Sequence, residues 1–418
     1  MKNKQYLIIG AGPAALAAVR SIRNTDGTGE ITLVTRETQL PYSPAMLPYL
    51  ISDELSENHF FQKGSEMLEE YDAEILLGEE VEEIDSQFNE VRFKSGGRKS
   101  YDKLLIATGA RPQIPMIENL LSDDVYTLRT YDDFKRLTVG LAAKQDIAIY
   151  GAGLVAVEAA EKLCQAGHSV KIIARSSLLR KYFSAKGVAM LEESFACCGA
   201  EVISHATLNS VEKRDGRMIL RLSNERDLWV DRLILATGVA SNLIANAGLE
   251  TIEGGIKVDK AMRTSLPNVF AAGDIAAAPS FLDYSSATCP ILPAAVEQGK
   301  VAGANMADER MEYDGWVSCN YLRCFDKNLF SIGYANPQED KSCEVLANVD
   351  GDRSLRLVMR NGYLIGVEGI NLNYIHPGVF QYLIHERVPI GKFVGKLLDK
   401  PREMACWLMS EHRKSHKA

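Results

Sequence analysis

Apolar positions along this chain fall into two alternating registers. Short unbroken apolar runs read as strands buried on both faces, and each leads into a stretch with helical spacing. Gln5–Ile9 (QYLII) passes through Gly10-Ala11-Gly12 into an alanine-rich helix from Pro13 to about Arg23, and Ile31–Thr35 is the next strand. The same order returns at Ile147–Tyr150, Gly151-Ala152-Gly153, a helix through Ala160 and a strand at Ser169–Ala174. Each copy closes on an apolar strand ending in Ala-Thr-Gly, at Tyr101–Gly109 and Asp231–Gly238. Residues 75–94 alternate as short strands. The pattern loosens over Ile114–Asp132, where a crossover is expected. Leu266–Ile275 (LPNVFAAGDI) reads as a strand leaving Asp274 beside a helix start, and Pro293–Asn305 as a helix of small residues. From Met311 the character changes. Residues 317–370 alternate as antiparallel strands, with turns at Asn336-Pro337, Asp350-Gly351 and Asn361-Gly362, and helical spacing resumes at Val379.

Strand and helix in alternation predict an α/β chain with two Rossmann-like three-layer dinucleotide-binding units. The expected division is a discontinuous first domain over 1–115 and 245–310, a second over 116–244, and a carboxy-terminal α+β domain over 311–418. A strand, a glycine turn and a helix start form a device for holding a pyrophosphate. Glycine lets the backbone approach the phosphates, and the helix offers free N–H groups and the positive end of its dipole. Two such turns imply two nucleotides, and electron traffic between them.

Composition narrows the classes. At 418 residues, 46% hydrophobic and 24% charged, the chain has material for large cores. Its net charge of −8 argues against general nucleic-acid affinity. No apolar run is long enough to span a bilayer, and MKNK leads straight into the first strand, so a cytoplasmic protein is expected. The tail is locally basic, with eight Lys/Arg against four acids from His385 onward. Lys392, Lys396 and Lys400 have the spacing of one helix face, either a solvated face or a dock for an acidic partner. The eight cysteines suit no disulfide framework and include no C-x-x-C pair, so no metal site is expected. Cys197-Cys198, before Gly199, read as buried residues at a helix C-cap.

Several side chains carry candidate chemistry. Glu37 stands 27 positions beyond Gly10, near the spacing at which an acid meets an adenosine ribose, or it is a surface acid. Thr38–Tyr49 (TQLPYSPAMLPY), with three prolines, is expected to be neither regular helix nor central strand and could wall a ring system. Asp274 can accept hydrogen bonds from a polyol or cap a helix. The second unit's second strand ends Ala174-Arg175 with no acid, so nothing repels a 2′-phosphate there. Arg175 and Arg180 can supply a positive fork, or be solvated loop residues.

Together these motifs occur in the order found in the two-dinucleotide-binding-domain flavoproteins, the pyridine nucleotide-disulfide oxidoreductase superfamily. The chain resembles its rubredoxin, ferredoxin and nitrite reductase branch to about residue 305, with Glu37 and Pro41-Tyr42 in the branch's places. The resemblance implies FAD on the first unit. Gly10, Gly12, Ala14 and Ala15 would face its pyrophosphate, Ala15 replacing the usual third glycine. Glu37 would hold the ribose, Thr108-Gly109 would close over the cofactor, and Asp274 would take the ribityl hydroxyls. The helix starting near Ala294 would point at the flavin's pyrimidine edge. A reduced nicotinamide, NADPH or else NADH, is implied at Gly151, Gly153 and Ala156, with Arg175 and Arg180 favouring NADPH. Glu158 matches a family acid near the nicotinamide.

Two departures bear on the chemistry. Thiol-relaying branches carry a redox cysteine two residues before a Leu-Pro-Tyr, and here Leu47-Pro48-Tyr49 is preceded by Ala45. Alanine forms no thiolate, mixed disulfide or sulfenic acid. The arginine and lysine that the electron-transfer branch often places beside the flavin are Pro44 and Tyr49, which leaves Glu158 and Tyr49 as the candidate catalytic pair. The implied activity is an FAD-dependent NAD(P)H oxidoreductase passing electrons to an iron–sulfur carrier or a partner subunit. The alternatives are an oxidase or small-molecule reductase whose acceptor enters where Tyr42, Tyr49 and the 281–289 loop meet, and an FAD-holding dehydrogenase subunit with a vestigial nicotinamide site. In relatives the carboxy-terminal domain packs on the flavin or forms a dimer interface, so a homodimer remains open.

Overall fold

The structure, a computed structural model, describes residues 3–141, 143–245, 247–281, 285–338 and 340–415. The chain divides into two compact units. One comprises Met1–Gln113, Arg129–Lys135 and Gly238–Trp316; the other comprises Ile114–Leu128, Arg136–Thr237 and Val317–Ala418. The carboxy-terminal segment thus groups with the second dinucleotide unit, and residues 129–135 return to the first.

In the first unit Gln5–Ile9 is the central strand of a five-stranded parallel sheet. Its order is Val269–Ala271, Lys103–Ile106, Gln5–Ile9, Glu30–Thr35, Ala73–Leu77. A strand covered on both faces needs apolar side chains on both, which is why QYLII does not alternate. Tyr6, Leu7 and Ile8 are at most 1% exposed, and burying an aliphatic side chain such as Leu7 or Ile8 contributes about 1.5–3 kcal/mol. The first glycine turn leads into the helix Pro13–Thr25, which packs on Leu292–Met306. Small residues permit the approach: a Cβ at Gly299 would collide with the Ala14 carbonyl, and one at Gly303 with that of Ala18.

Three local expectations change. The proline-rich loop forms a 3-10 turn at Pro44–Met46 and a short helix at Leu47–Ile51. Pro48 lies in that helix's first turn, where a missing N–H leaves no hydrogen bond unmade. Asp274 is followed by the strand Ala276–Pro279, so it caps no helix. The loosened stretch before Asp132 contains a helix start: Tyr131–Thr138 is helical, and Thr130 and Asp133 each accept a hydrogen bond from the other's backbone N–H in a capping box.

The second unit repeats the parallel sheet as Glu201–Ile203, Ser169–Ile173, Asp146–Tyr150, Arg232–Leu235, Val125–Tyr126. Its carboxy-terminal part is an antiparallel sheet ordered Cys319–Cys324, Lys327–Gly333, Tyr363–Ile370, Arg353–Arg360, Glu344–Asp350. Asn361 and Gly362 both have positive φ, as a tight hairpin turn between twisted strands requires. The helices Gly378–His385, Val394–Asp399 and Pro401–Ser415 follow.

Two further expectations are corrected. Lys392 lies in a separate 3-10 turn and Lys400 ends the Val394–Asp399 helix ahead of Pro401, so the three lysines share no continuous helix face. All three are exposed. Cys198 caps the helix Ala185–Cys197 as expected, but it and Cys197 are exposed because the helix turns its end to solvent.

Candidate functional site

The first glycine turn is set by backbone geometry. Gly10 has φ +115° and donates its N–H to the Val34 carbonyl at 2.8 Å; a Cβ there would collide with the Ala107 carbonyl. Only glycine fits both constraints. Gly12, the helix N-cap, has open space where a Cβ would stand, and neither a capping side chain nor an acid occupies the first helical turn. The turn therefore presents uncompensated N–H groups over clear volume, which suits a pyrophosphate. Ala14 and Ala15 are buried just inside the helix, and a Cβ on Gly273 would come 3.1 Å from that of Ala14. Thr108 donates its hydroxyl to the Asn242 carbonyl at 2.9 Å, and Gly109 accepts from the Asn242 N–H at 2.9 Å. This pins the Ala-Thr-Gly strand end beside the turn.

Glu37 sits past the end of the Glu30–Thr35 strand. Its carboxylate accepts the Tyr42 hydroxyl at 2.5 Å, and that hydroxyl in turn accepts the Tyr131 N–H at 2.9 Å. Burial raises the Glu37 pKa above its ordinary value, and the Tyr42 hydrogen bond partly offsets this. Tyr42 is buried among Phe60, Phe61 and Tyr131. It is therefore a support for Glu37 rather than a wall of an acceptor entrance. Residues 282–284 of the loop expected beside it lie outside the described residues. Ala45 is exposed on the Pro44–Met46 turn, Tyr49 is half-buried in the following helix, and Ala294 is fully buried at the start of Leu292–Met306. Gln39 Oε1 and Ser43 Oγ, both in the loop before Ala45, are buried without a protein partner. Such atoms in a loop between the acid and the helix are consistent with a polar ligand, since a buried acceptor without a hydrogen bond is costly.

Sequence reasoning missed Arg129. Its guanidinium donates to Asp274 Oδ2 at 2.8 Å and to the Ala110 carbonyl at 3.0 Å, with both side chains mostly shielded from solvent. Asp274 thus keeps one oxygen for a polyol, and the pair ties the strand end at 274 to the Thr108-Gly109 segment. The T-x-x-D box of Thr130 and Asp133 marks the helix start just after Arg129 but does not name Arg129's partner.

The second turn copies the first. Gly151 has φ +152°, and a Cβ there would collide with the Ala236 carbonyl; Gly153 is open, and Ala156 is fully buried. Arg175 and Arg180 lie beyond the Ser169–Ile173 strand, and both are exposed. The helix Leu154–Gln165 departs from its counterpart by burying charge. Glu161 and Lys162 are 5% and 7% exposed at their side chains and approach to 3.5 Å, and Glu161 also accepts the Phe325 N–H. Burial, then the Glu161 carboxylate, push Glu158 up to about 7, against the attraction of Lys162. Cys289, in the first unit, is raised to about 11 and Cys164, in the second, to about 12, both by burial, so these thiols stay protonated. No group of three or more His, Cys, Asp or Glu that could hold a metal occurs among the described residues, and no helix there is long and apolar enough to cross a membrane.

The epsilon subunit of the NADH-dependent phenylglyoxylate dehydrogenase of Aromatoleum evansii is 31% identical over 417 residues, 98% of either chain. The ferredoxin–NAD(+) reductase component of the 3-phenylpropionate/cinnamic acid dioxygenase of Photorhabdus laumondii is 30% identical over 289 residues, 66% of this chain and 70% of that protein. Among solved structures, an engineered water-forming NADPH oxidase bound to NADPH superimposes with a TM-score of 0.86 at 21% identity over 99% of each chain. Its parent, the NADH oxidase of Lactobacillus brevis, fits equally well. The sequence pattern of the pyridine nucleotide-disulphide oxidoreductases matches residues 4–299. The chain belongs to that family and is an FAD-dependent NAD(P)H oxidoreductase.

Proposed function

We propose that this flavoprotein exchanges electrons between NADPH and an iron–sulfur protein, either a separate carrier or a partner subunit of a larger dehydrogenase, without a thiol relay. The observation that carries this reading is Ala45. The turn that holds a redox cysteine in thiol-relaying members here offers only a methyl group, and partial burial holds Cys164 and Cys289 protonated. Two relatives support the acceptor class: one is named a ferredoxin reductase component and the other, matched end to end, a dehydrogenase subunit.

On this reading Gly10, Gly12, Ala14 and Ala15 hold the FAD pyrophosphate. Glu37, braced by Tyr42, takes the ribose, and Asp274, oriented by Arg129, takes the ribityl hydroxyls. Bound FAD supplies the conversion between two-electron and one-electron transfer. Gly151, Gly153 and Ala156 take the nicotinamide dinucleotide. Glu158, poised near 7, can hold or release a proton at its carboxyl at neutral pH. Tyr49 stands where a lysine would be and carries no positive charge to pair with it.

The names of the two relatives point to NADH, whereas the local chemistry favours NADPH. The NADPH oxidase was made by five changes: glycine to alanine, aspartate to alanine, alanine to arginine, methionine to serine and proline to arginine, successively 18, 1, 1 and 5 positions apart. Ala156, Ala174, Arg175, Ser176 and Lys181 stand at that spacing here, with lysine for the last arginine. The side chains past the second strand, rather than the relatives' names, carry the NADPH reading.

Rapid mixing tests the whole reading. NADPH is expected to bleach the flavin absorbance quickly, and the absorbance should return slowly in air and quickly with a ferredoxin. Fast return in air would favour an oxidase, and no bleaching by either nicotinamide would leave an FAD-holding subunit. The exposed Lys392, Lys396 and Lys400 make no ion pair among the described residues. Reversing all three to Glu is expected to slow transfer to an acidic carrier severalfold at low salt and little at high salt.

A further inference from the structure

The loop that carries Arg175, Arg180 and Lys181 is anchored at both ends. At its front, Leu179 donates its N–H at 2.8 Å to the carbonyl of Ala152, the middle residue of the second glycine turn. Leu178, Leu179 and Phe183 are at most 2% exposed, and Leu179 is held at φ +46°. At its back, the loop is bound by side chains of the carboxy-terminal sheet and of the loop that follows its Lys327–Gly333 strand. The Asn336 amide donates to the Arg180 carbonyl at 2.7 Å and to the Phe183 carbonyl at 2.8 Å, and Gln338 adds a longer bond of 3.4 Å to Arg180. Arg356 donates to Asn336 Oδ1 at 3.2 Å, which fixes the amide's orientation. Glu368, 1% exposed, accepts the N–H and hydroxyl of Ser184, the residue that starts the helix Ala185–Cys197. The cationic side chains are exposed while the backbone beneath them is locked.

We infer that Asn336 is a positioning residue for the nucleotide's 2′-phosphate, so that the carboxy-terminal sheet sets the nucleotide preference of the second glycine turn. The inference rests on the NADPH reading above. An exposed arginine or lysine on a free loop loses side-chain and backbone entropy when it closes on a phosphate. On a loop already held at the Arg180 and Phe183 carbonyls, the backbone part of that loss is made on folding rather than on binding. The front anchor reaches the glycine turn and the back anchor reaches the sheet, so loss of Asn336 frees the end that carries Arg180 and Lys181 and leaves the turn itself intact.

The test is calorimetric titration of the FAD-loaded full chain with adenosine 2′,5′-bisphosphate and, separately, with adenosine 5′-diphosphate. The native protein is expected to bind the 2′-phosphorylated probe at least tenfold more tightly. Asn336→Ala should lower that ratio about fivefold, with the 5′-diphosphate affinity held within twofold as the control for folding. Asn336→Asp, which keeps the Arg356 contact and removes both donors, should do the same. In steady state the KM for NADPH should rise with kcat unchanged. A ratio kept by both variants, or an equal loss for both probes, overturns the inference while leaving the NADPH reading in place. No discrimination by the native protein overturns both.

Discussion

The two glycine turns are nearly the same object, and the parts around them are not. Each ends the central strand of a five-stranded parallel sheet, each opens a helix, and each has a first glycine that a carbonyl from the Ala-Thr-Gly strand end will not let grow a side chain. Beyond that they diverge. Past the second strand, the first unit has a half-buried acid braced by a tyrosine, and the second has exposed arginines. The helix of the first is alanine-rich and packs closely on glycines of Leu292–Met306, whereas that of the second buries Glu161 and Lys162 and half-buries Glu158. On the proposed reading, the shared part takes what every dinucleotide has, a pyrophosphate, and the divergent part takes the ribose and supplies a proton-holding group.

Alanine at each first glycine tests this division most severely. Gly10→Ala places a methyl on the Ala107 carbonyl at a φ that L-residues rarely adopt, and Gly151→Ala does the same against Ala236. Backbone strain of this kind costs on the order of 1–3 kcal/mol before the clash is counted. If the turns are separate sites, Gly10→Ala should be purified without yellow colour. Gly151→Ala should keep its flavin and lose at least a hundredfold in NADPH affinity, read by absorbance and titration. Loss of flavin from both variants would show that the turns do not act separately.

The turns themselves were legible because their chemistry is local. Glycine at φ beyond +100°, a strand before and a helix after leave a mark within ten residues. Arg129 was not legible: it meets Asp274 across 145 positions, and nothing near it in sequence names its partner. The helix at Leu47–Ile51 was hidden by counting prolines without asking which turn of a helix each would occupy. Cys197 and Cys198 were misplaced because a cap position sets backbone geometry and leaves open which way the helix end faces. Asn336 belongs with Arg129, for its meaning depends on a loop more than 150 positions away.

The buried charge of the second helix gives the next largest effect. Glu158 is raised from its ordinary 4.5 to about 7. Between those values the unfolded chain releases a proton that the folded chain keeps, so rising pH favours unfolding through this window, and the effect is complete above about 7. The shift corresponds to a stability loss on the order of 3 kcal/mol, fully present at pH 8 and about half developed near pH 5.5. Glu158→Gln removes the titration. The variant should unfold at higher urea than the native protein at pH 8, and the gain should shrink at pH 5.5. Equal shifts at both pH values would mean that the carboxyl is not held up. Ala15 and Val19 of the first helix carry no ionisable group, so exchanging either for another apolar residue should introduce no such pH dependence.

Arg175→Ala is the mildest change and the most pointed. Arg175 is exposed and makes no ion pair among the described residues, so its removal should leave stability within about 0.5 kcal/mol. A charge-assisted hydrogen bond to a phosphate contributes about 1.5–3 kcal/mol when made, and partial solvation at an exposed site puts the expected loss at the lower end. Preference for NADPH over NADH, measured as the ratio of kcat/KM, should therefore fall about tenfold, through KM for NADPH alone. Glu37→Gln is the counterpart in the first unit. It keeps a hydrogen-bonding group beside Tyr42 and changes charge only, so flavin retention should weaken while the nucleotide ratio stays put. If Arg175→Ala left the ratio unchanged, the divergence between the strand ends would still separate two sites, but the second would no longer read the 2′-position.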